Sequence, residues 1–330
     1  MRTRVGKWKI DAGTNPLRDL ALIARFHRHF NALAPDIVLG FTIKNNIYGA
    51  FAAKRLGIPF VPNITGLGTA FLSSSLLEGL SKALYRGAFR KLGHVVFQNR
   101  DDLALFEQAR LIGPATRTVV MPGSGIDTKR FAPAPYPDLE ERGAVVFLLV
   151  ARLLRDKGIA EYAEAARALK ADHPAARFQL LGGSDFTNSS SLPRETAERW
   201  HEEGLVEYLG TSGDVRPVVA QAHCIVLPSY REGAPRTLIE GAAIGRPLIA
   251  TDVPGCREVV REGENGFLCP PRSSEGLADA MRRFLALSHE ERAAMGLNSR
   301  ALAESEFSAE RVVEAYRRIL EETAIEGSHG

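Results

Sequence analysis

The chain has 330 residues, 45% of them hydrophobic and 25% charged, with a formal net charge of +3. Such a composition describes a two-domain globular protein with a full core and excludes disordered, collagen-like and disulfide-stapled classes. No apolar run approaches the ~18 residues that a membrane span needs, and no signal-peptide-like apolar stretch follows the basic start. Cys224, Cys256 and Cys269 lack any C-x-x-C spacing. They read as small buried hydrophobes in a reducing compartment rather than as disulfides or zinc ligands. The charge is uneven: residues 1–130 hold 19 Lys and Arg against 8 Asp and Glu, whereas residues 131–330 hold 23 against 31. A basic first half suits phosphate or an anionic lipid surface. Nucleic acid is not expected as a partner, because no aromatic-interleaved basic motif is present. A solvated surface with scattered arginines is the alternative.

In chain order, NPLRDLALIARFHRHFNAL opens with Asn15 as cap and Pro16 at the first helical position. Its apolar face is read from Leu17, Leu20, Ala21 and Ala24 at helical spacing. Strands are predicted at DIVLGF (36–41), IPFVPN (58–63), HVVFQN (94–99) and TRTVVMP (116–122). Four more follow at VVFLLVAR (145–152), RFQLLGG (177–183), HCIVLPS (223–229) and PLIATD (247–252). Helical stretches separate them, so the fold class is α/β, with two doubly wound parallel-sheet domains facing a cleft. The Pro/Gly-rich, aperiodic segment 122–143 contains the break. The expected division is a first domain over 1–130, a linker over 131–143 and a second domain over 144–305. A C-terminal helix and tail over 306–330 return to the first domain. Residues 8–10 are the sole candidate for an early strand, so the first domain is expected to be incomplete.

Chemistry concentrates in YREGAPRTLIEGAAIGRPLIATD (230–252). Pro235 suits the first position of a helix, Gly233 lets backbone amides face a ligand, and a helix N-terminus favours phosphate or sugar oxygens. At a rise of ~1.5 Å per residue, Glu232 and Glu240 would stand about 12 Å apart, the reach from a hexose across a diphosphate to a ribose. A carboxylate can accept from two neighbouring hydroxyls. In LVARLLRDKGI (149–159), Arg152 and Lys157 follow a strand and are placed to neutralise a diphosphate. A first-turn acid, a solvated acid and ordinary loop cations are the plain alternatives.

ARLLRDKG, followed by REGAPRTLIEGAAIGRPLIATDVPG and VREGENGFLCPP, resembles the donor domain of retaining family-four glycosyltransferases, which have the two-Rossmann GT-B fold. GTNPLRDL, FTIKNNIYG, NITGLGTAF, VVFQNRDD and PGSGID resemble bacterial members that build polysaccharides on lipid carriers. The resemblance implies a cytoplasmic hexosyltransferase, peripheral to the inner membrane face, that uses a nucleotide-sugar, expected to be a UDP-sugar, and a lipid-linked saccharide acceptor. It implies that Arg152 and Lys157 bind the diphosphate, Glu232 holds the donor sugar, Gly233 and Ala234 complete that cradle, and Glu240 binds the ribose. Gly182 and Gly183 stand where the base is expected. It also implies a metal-independent, front-face reaction with no cofactor, and the chain has no D-x-D; Asp101 and Asp102 are adjacent in a helical stretch. Thr65, Gly66 and Gly68 in the glycine-rich loop, and Lys44, are the acceptor-side candidates. Residues 76–93 form a basic amphipathic helix suited to an anionic bilayer. The chain departs from the family in lacking an N-terminal glycine loop and a histidine in the acceptor loop. A non-catalytic nucleotide-sugar-binding remnant and a nucleotide-sugar epimerase share the same motifs. A dehydrogenase is not expected, because no G-x-G-x-x-G follows a strand.

Overall fold

The computed structural model describes residues 16–66, 75–121, 123–138, 143–184, 188 and 190–327. The first sheet contains β1 (Val38–Phe41), β2 (Phe60–Ile64), β3 (His94–Phe97) and β4 (Arg117–Val120), all parallel and in that spatial order. It is covered by α1 (Pro16–Leu33), α2 (Ile43–Arg55), α3 (Ser75–Phe89) and α4 (Arg100–Gln108). On α1 the buried face differs from the one read off the sequence. Leu22 and Phe30 are buried with Ile23 and Phe26 packed beside them, whereas Leu20 is 63% exposed and Ala21 and Ala24 face outward. Both faces carry apolar residues, and the bulkier set fills the interior because it removes more area from water.

The second sheet holds β5 (Val146–Val150), β6 (Arg177–Leu181), β7 (Glu207–Tyr208), β8 (Cys224–Leu227), β9 (Leu248–Thr251) and β10 (Gly266–Cys269). β7 and β10 are absent from the strands expected above; β7 has only two residues, and GFLC (266–269) sits inside a polar, glycine-rich stretch. The spatial order is β10-β9-β8-β5-β6-β7, all parallel. Phe147 and Leu149 point to one apolar layer and Leu148 to the other, as strand alternation requires. Around the sheet lie α5 (Ile159–Asp172), α6 (Arg194–Glu202), α7 (Arg216–Gln221), α8 (Arg236–Ile244), α9 (Cys256–Val259), α10 (Ser274–Leu285) and α11 (His289–Glu306).

Residues 128–135 are tied to the second domain through their backbone. Arg300 donates to the carbonyls of Phe131 (2.7 Å) and Thr128 (3.2 Å), Arg216 to that of Arg130 (3.0 Å), and Arg246 to those of Ala134 and Pro135 (3.0 and 2.7 Å). The last helix, α12 (Ala309–Gly327), leaves the second domain and lies on the first sheet. Val312 and Ile319 pack against Val61, Val96 and Met121. Glu322 meets His94 and Arg117, each at 3.0 Å, and Asn63 donates to the Tyr316 hydroxyl at 2.6 Å. Where the chain crosses between domains, Ile126 N–H donates to Phe307 C=O (2.7 Å) and Ala309 N–H to Ile126 C=O (2.9 Å).

Ile319→Ala is expected to lower unfolding stability by about 2–4 kcal/mol through the cavity it leaves. A urea midpoint unchanged from wild type would show that α12 does not hold the first domain together.

Candidate active site

The strand order reverses between β5 and β8, so the loops leaving these neighbouring strands run to opposite sides and open a crevice at their carboxyl ends. The β5 loop carries Arg152 and, on a single 3-10 turn over Arg155–Lys157, Lys157. The β8 loop carries Ser229 to Pro235. The two loops are joined by the Tyr230 amide and the Ser229 hydroxyl, both donating to Asp156 C=O (2.9 and 3.0 Å). Gly158, which has φ +69°, packs against Pro228, and a Cβ there would lie 2.1 Å from the Pro228 carbonyl oxygen. A side chain at 158 would push the loops apart. The Tyr230 hydroxyl donates to Glu161 at 2.6 Å, and burial with that acceptor pushes its pKa up to about 12.

Within this weld Lys157 Nζ and Glu232 Oε1 form an ion pair at 2.5 Å, with the Glu232 side chain only 12% exposed. Two of the expected diphosphate and donor-sugar residues are therefore in direct contact. Arg152 is exposed at the start of the β5 loop. Glu232 and Pro235 require correction. α8 begins at Arg236, with Pro235 as its N-cap at ψ 94°, so Glu232 lies in the preceding loop. The axial-rise spacing from Glu232 to Glu240 does not apply, because only the segment from Arg236 onward is helical. Glu240, on the first turns of α8, receives Arg236 Nε at 2.7 Å. Thr237 Oγ1 donates to Val150 C=O (2.9 Å), fixing the helix N-terminus against the end of β5. Pro and Gly outside a helix look alike in sequence at its first turn, which is why the boundary was misplaced.

Gly182 and Gly183 follow the end of β6. A Cβ on Gly182 would sit 1.7 Å from Ala151 C=O, and one on Gly183 2.9 Å from Thr211 Cγ2. These glycines bring the ends of β5, β6 and the β7 loop into contact, and Leu153 N–H donates to Gly183 C=O at 2.9 Å. Thr251 Oγ1 donates to Ser229 C=O, and Gly255, at φ +81°, passes beneath the Glu232 and Gly233 carbonyls.

From the first domain, Thr65 and Gly66 reach this crevice: a Cβ on Gly66 would lie 3.8 Å from Gly233 Cα and N, and one on Gly233 2.2 Å from Thr65 C=O. Gly68 lies outside the described residues. Lys44 Nζ pairs with Asp19 of α1 at 3.0 Å. On the basic helix α3, Leu80 is 55% exposed, while Phe89 is buried. Residues missed from the sequence are Asn99, Asp102 and Arg231. Asp102, fully buried, pairs with Arg231, and Asn99 Nδ2 donates to Gly233 C=O at 3.2 Å. Burial pushes the Asp102 carboxyl above its ordinary range against the pull of Arg231 and Asn99. The stretch QNRDD was the available signal, since an acid two residues into a helix beside a capping Asn is easily read as capping alone. Among the described residues no group of three or more His, Cys, Asp or Glu side chains is arranged to hold a metal ion.

Two parallel Rossmann-like sheets with a loop crevice at a strand-order reversal define the two-domain architecture of GT-B glycosyltransferases. The family description "Glycosyl transferase 4-like domain" matches residues 2–124, and "Glycosyl transferases group 1" matches residues 144–286. The chain belongs to these family-four glycosyltransferases. Among its relatives is the N,N'-diacetylbacillosaminyl-diphospho-undecaprenol alpha-1,3-N-acetylgalactosaminyltransferase of Campylobacter jejuni. It is 26% identical over 292 residues, covering 83% of this chain and 74% of that one. The UDP-Gal:alpha-D-GlcNAc-diphosphoundecaprenol alpha-1,3-galactosyltransferase of Escherichia coli is 25% identical over 278 residues, covering 81% and 70%. Among solved structures, HepE of Anabaena in complex with UDP superposes with a TM-score of 0.77 at 21% identity, over 92% of this chain and 82% of that one.

Gly158→Ala is expected to cost about 1–3 kcal/mol, from the left-handed backbone and the clash with Pro228. Chemical denaturation checks this, and an equally stable variant would refute the weld between the two loops.

Proposed function

We propose that this protein is a retaining hexosyltransferase that uses a UDP-sugar and a lipid-linked saccharide at the cytoplasmic face of a membrane. The observation that carries the reading is the largely buried Lys157–Glu232 pair at the switch-point crevice, beside the N-terminus of α8. The undecaprenyl-diphosphate acceptors in the names of the two relatives, and the UDP bound by HepE, support the substrate classes.

In this reading Arg152 and Lys157 face the donor diphosphate, and Lys157, with three N–H donors, bridges it to Glu232. Glu232 accepts from donor-sugar hydroxyls, Gly233 and Ala234 line the cradle, and Glu240 takes the ribose hydroxyls by exchanging its bond to Arg236. Gly182 and Gly183 shape the base end. The acceptor hydroxyl, arriving past Thr65 and Gly66, attacks the anomeric carbon on the face from which phosphate departs. The anomeric C–O bond to phosphate breaks, the new C–O bond forms with retained configuration, and the acceptor proton passes to the leaving phosphate oxygen. Positive charge from Arg152 and Lys157 stabilises that departing anion, so the step needs no metal and no cofactor.

In this reading a lipid acceptor brings the first domain to a bilayer. Arg86, Arg90 and Arg110 line a cavity of about 650 Å³ with Glu107 as its one acid. These arginines form the surface proposed to meet anionic lipid, and Leu80, on the same helix as Arg86, is exposed.

Calorimetric titration is expected to show UDP bound in preference to GDP. Glu240→Ala should weaken UDP binding at least about tenfold, the worth of a charge-assisted hydrogen bond. Glu232→Ala should keep UDP affinity while turnover falls roughly a hundredfold, as for loss of one strong transition-state contact. A folded protein that binds no UDP would overturn the reading.

Co-sedimentation with phosphatidylglycerol vesicles, compared with phosphatidylcholine vesicles, tests the membrane face. The doubly reversed Arg86→Glu, Arg90→Glu protein should lose the preference for the anionic lipid, and full retention would refute it.

A further inference from the structure

The first domain holds both residues that flank Glu232. Upstream, Asp102 of α4 is fully buried and ion-paired with Arg231. Downstream, Asn99 Nδ2 donates to Gly233 C=O at 3.2 Å. The same Asn99 caps α4: its Oδ1 accepts from Asp102 N–H at 2.8 Å, and its amide donates to Asp102 Oδ2 at 3.1 Å. The cap and the two grips are thus one hydrogen-bonded unit at the N-terminus of α4.

Its neighbours repeat the pattern. Asp101 pairs with Arg257 at 3.2 Å, and the Arg100 amide donates to Glu258 at 3.1 Å, both partners belonging to α9. From the second-domain side the Glu232 amide reaches Pro254 C=O at 3.4 Å, and Gly255 packs beneath the loop. Absence of a side chain at 233 serves this approach, since a Cβ would meet Thr65 C=O at 2.2 Å and Gln98 Oε1 at 3.0 Å. Gly233 is small because the first domain lies against it.

We infer that Asn99 and Asp102 form an interdomain clasp that seats the Glu232 loop, so that the donor cradle takes its working shape only when the two domains are shut. The two are positioning residues: they act on the reacting sugar through Arg231, Gly233 and the carboxylate between them. This rests on the donor-site reading above. Asp102 gives the clasp its leverage, because separating the domains takes Arg231 from a buried carboxylate that nothing else described here neutralises.

Spin labels at Arg55→Cys and Glu195→Cys, both exposed and one in each domain, report closure by their distance distribution; the three native cysteines are buried. Asp102→Asn removes the charge at constant shape. Asn99→Ser keeps a helix cap but loses the amide donor to Gly233. In each variant the distribution is expected to broaden toward longer distances. UDP affinity should stay within about threefold and transfer kcat should fall at least about tenfold, the cost of sub-ångström to ångström misplacement. An unchanged distribution with kcat near wild type overturns the clasp. So does a loss of UDP affinity as large as the loss of kcat, which would place the residues in the stability of the donor site itself. A wild type that binds no UDP, with variants that nonetheless open, upholds the clasp and refutes the donor reading instead.

Discussion

Pairing of β5 with β8 is the constraint from which the site follows. The seven other strand pairs in the two sheets connect sequence neighbours, and this one joins strands separated by two intervening strands and three α-helices. The chain leaving β5 turns one way, the chain leaving β8 turns the other, and a gap opens that backbone cannot fill. What surrounds the gap is then set by close packing. Gly158 against Pro228, Gly182 against Ala151 and Gly255 against Gly233 let three loops touch at backbone distance. Side chains that leave this packed base, Lys157 and Glu232 foremost, have little freedom to point elsewhere.

Charges in this chain do two different jobs. Lys157 with Glu232 and Arg231 with Asp102 are opposite charges brought together from separate segments, and they fix geometry at the crevice. Arg246 is fully buried and meets only the carbonyls of Ala134 and Pro135 among the described residues, beside the Tyr136 ring at 5.7 Å. Burial without a carboxylate lowers its pKa to about 10. A guanidinium offers five donors in a plane, so it can satisfy an aperiodic stretch of backbone that has no ladder of its own. That is how a Pro-rich linker is held without becoming a strand or helix.

Much of this was legible in the sequence. VFLLV, CIVL and LIAT are apolar runs of strand length, and the punctuation around them places the loops that carry Arg152, Lys157 and Glu232. Illegible were features decided by tertiary contact. On α1, Leu20 and Leu22 have equal hydropathy, and only the neighbouring helix chooses between them. Gly233 reads as a ligand-facing glycine until Thr65 is seen beside it. Asp102 reads only as one of two adjacent acids in a helical stretch, because its partner Arg231 is 129 residues away. Lys44 has the chemistry of a phosphate ligand, and its pairing with Asp19 of α1 could not be read from the sequence.

The placement of α12 has a consequence for biosynthesis. The second domain is continuous in sequence from β5 to α11, so it can condense as soon as it has been made. The first domain cannot. One face of its sheet, with Val61, Val96 and Met121, is covered by Val312 and Ile319. Among the described residues, the helix that packs on Val61, Val96 and Met121 is the one over 309–327, which emerges last during synthesis. The domain translated first is therefore the domain completed last, and the exposed sheet face in the interval is the point at which a chaperone or a neighbouring nascent chain would compete with α12.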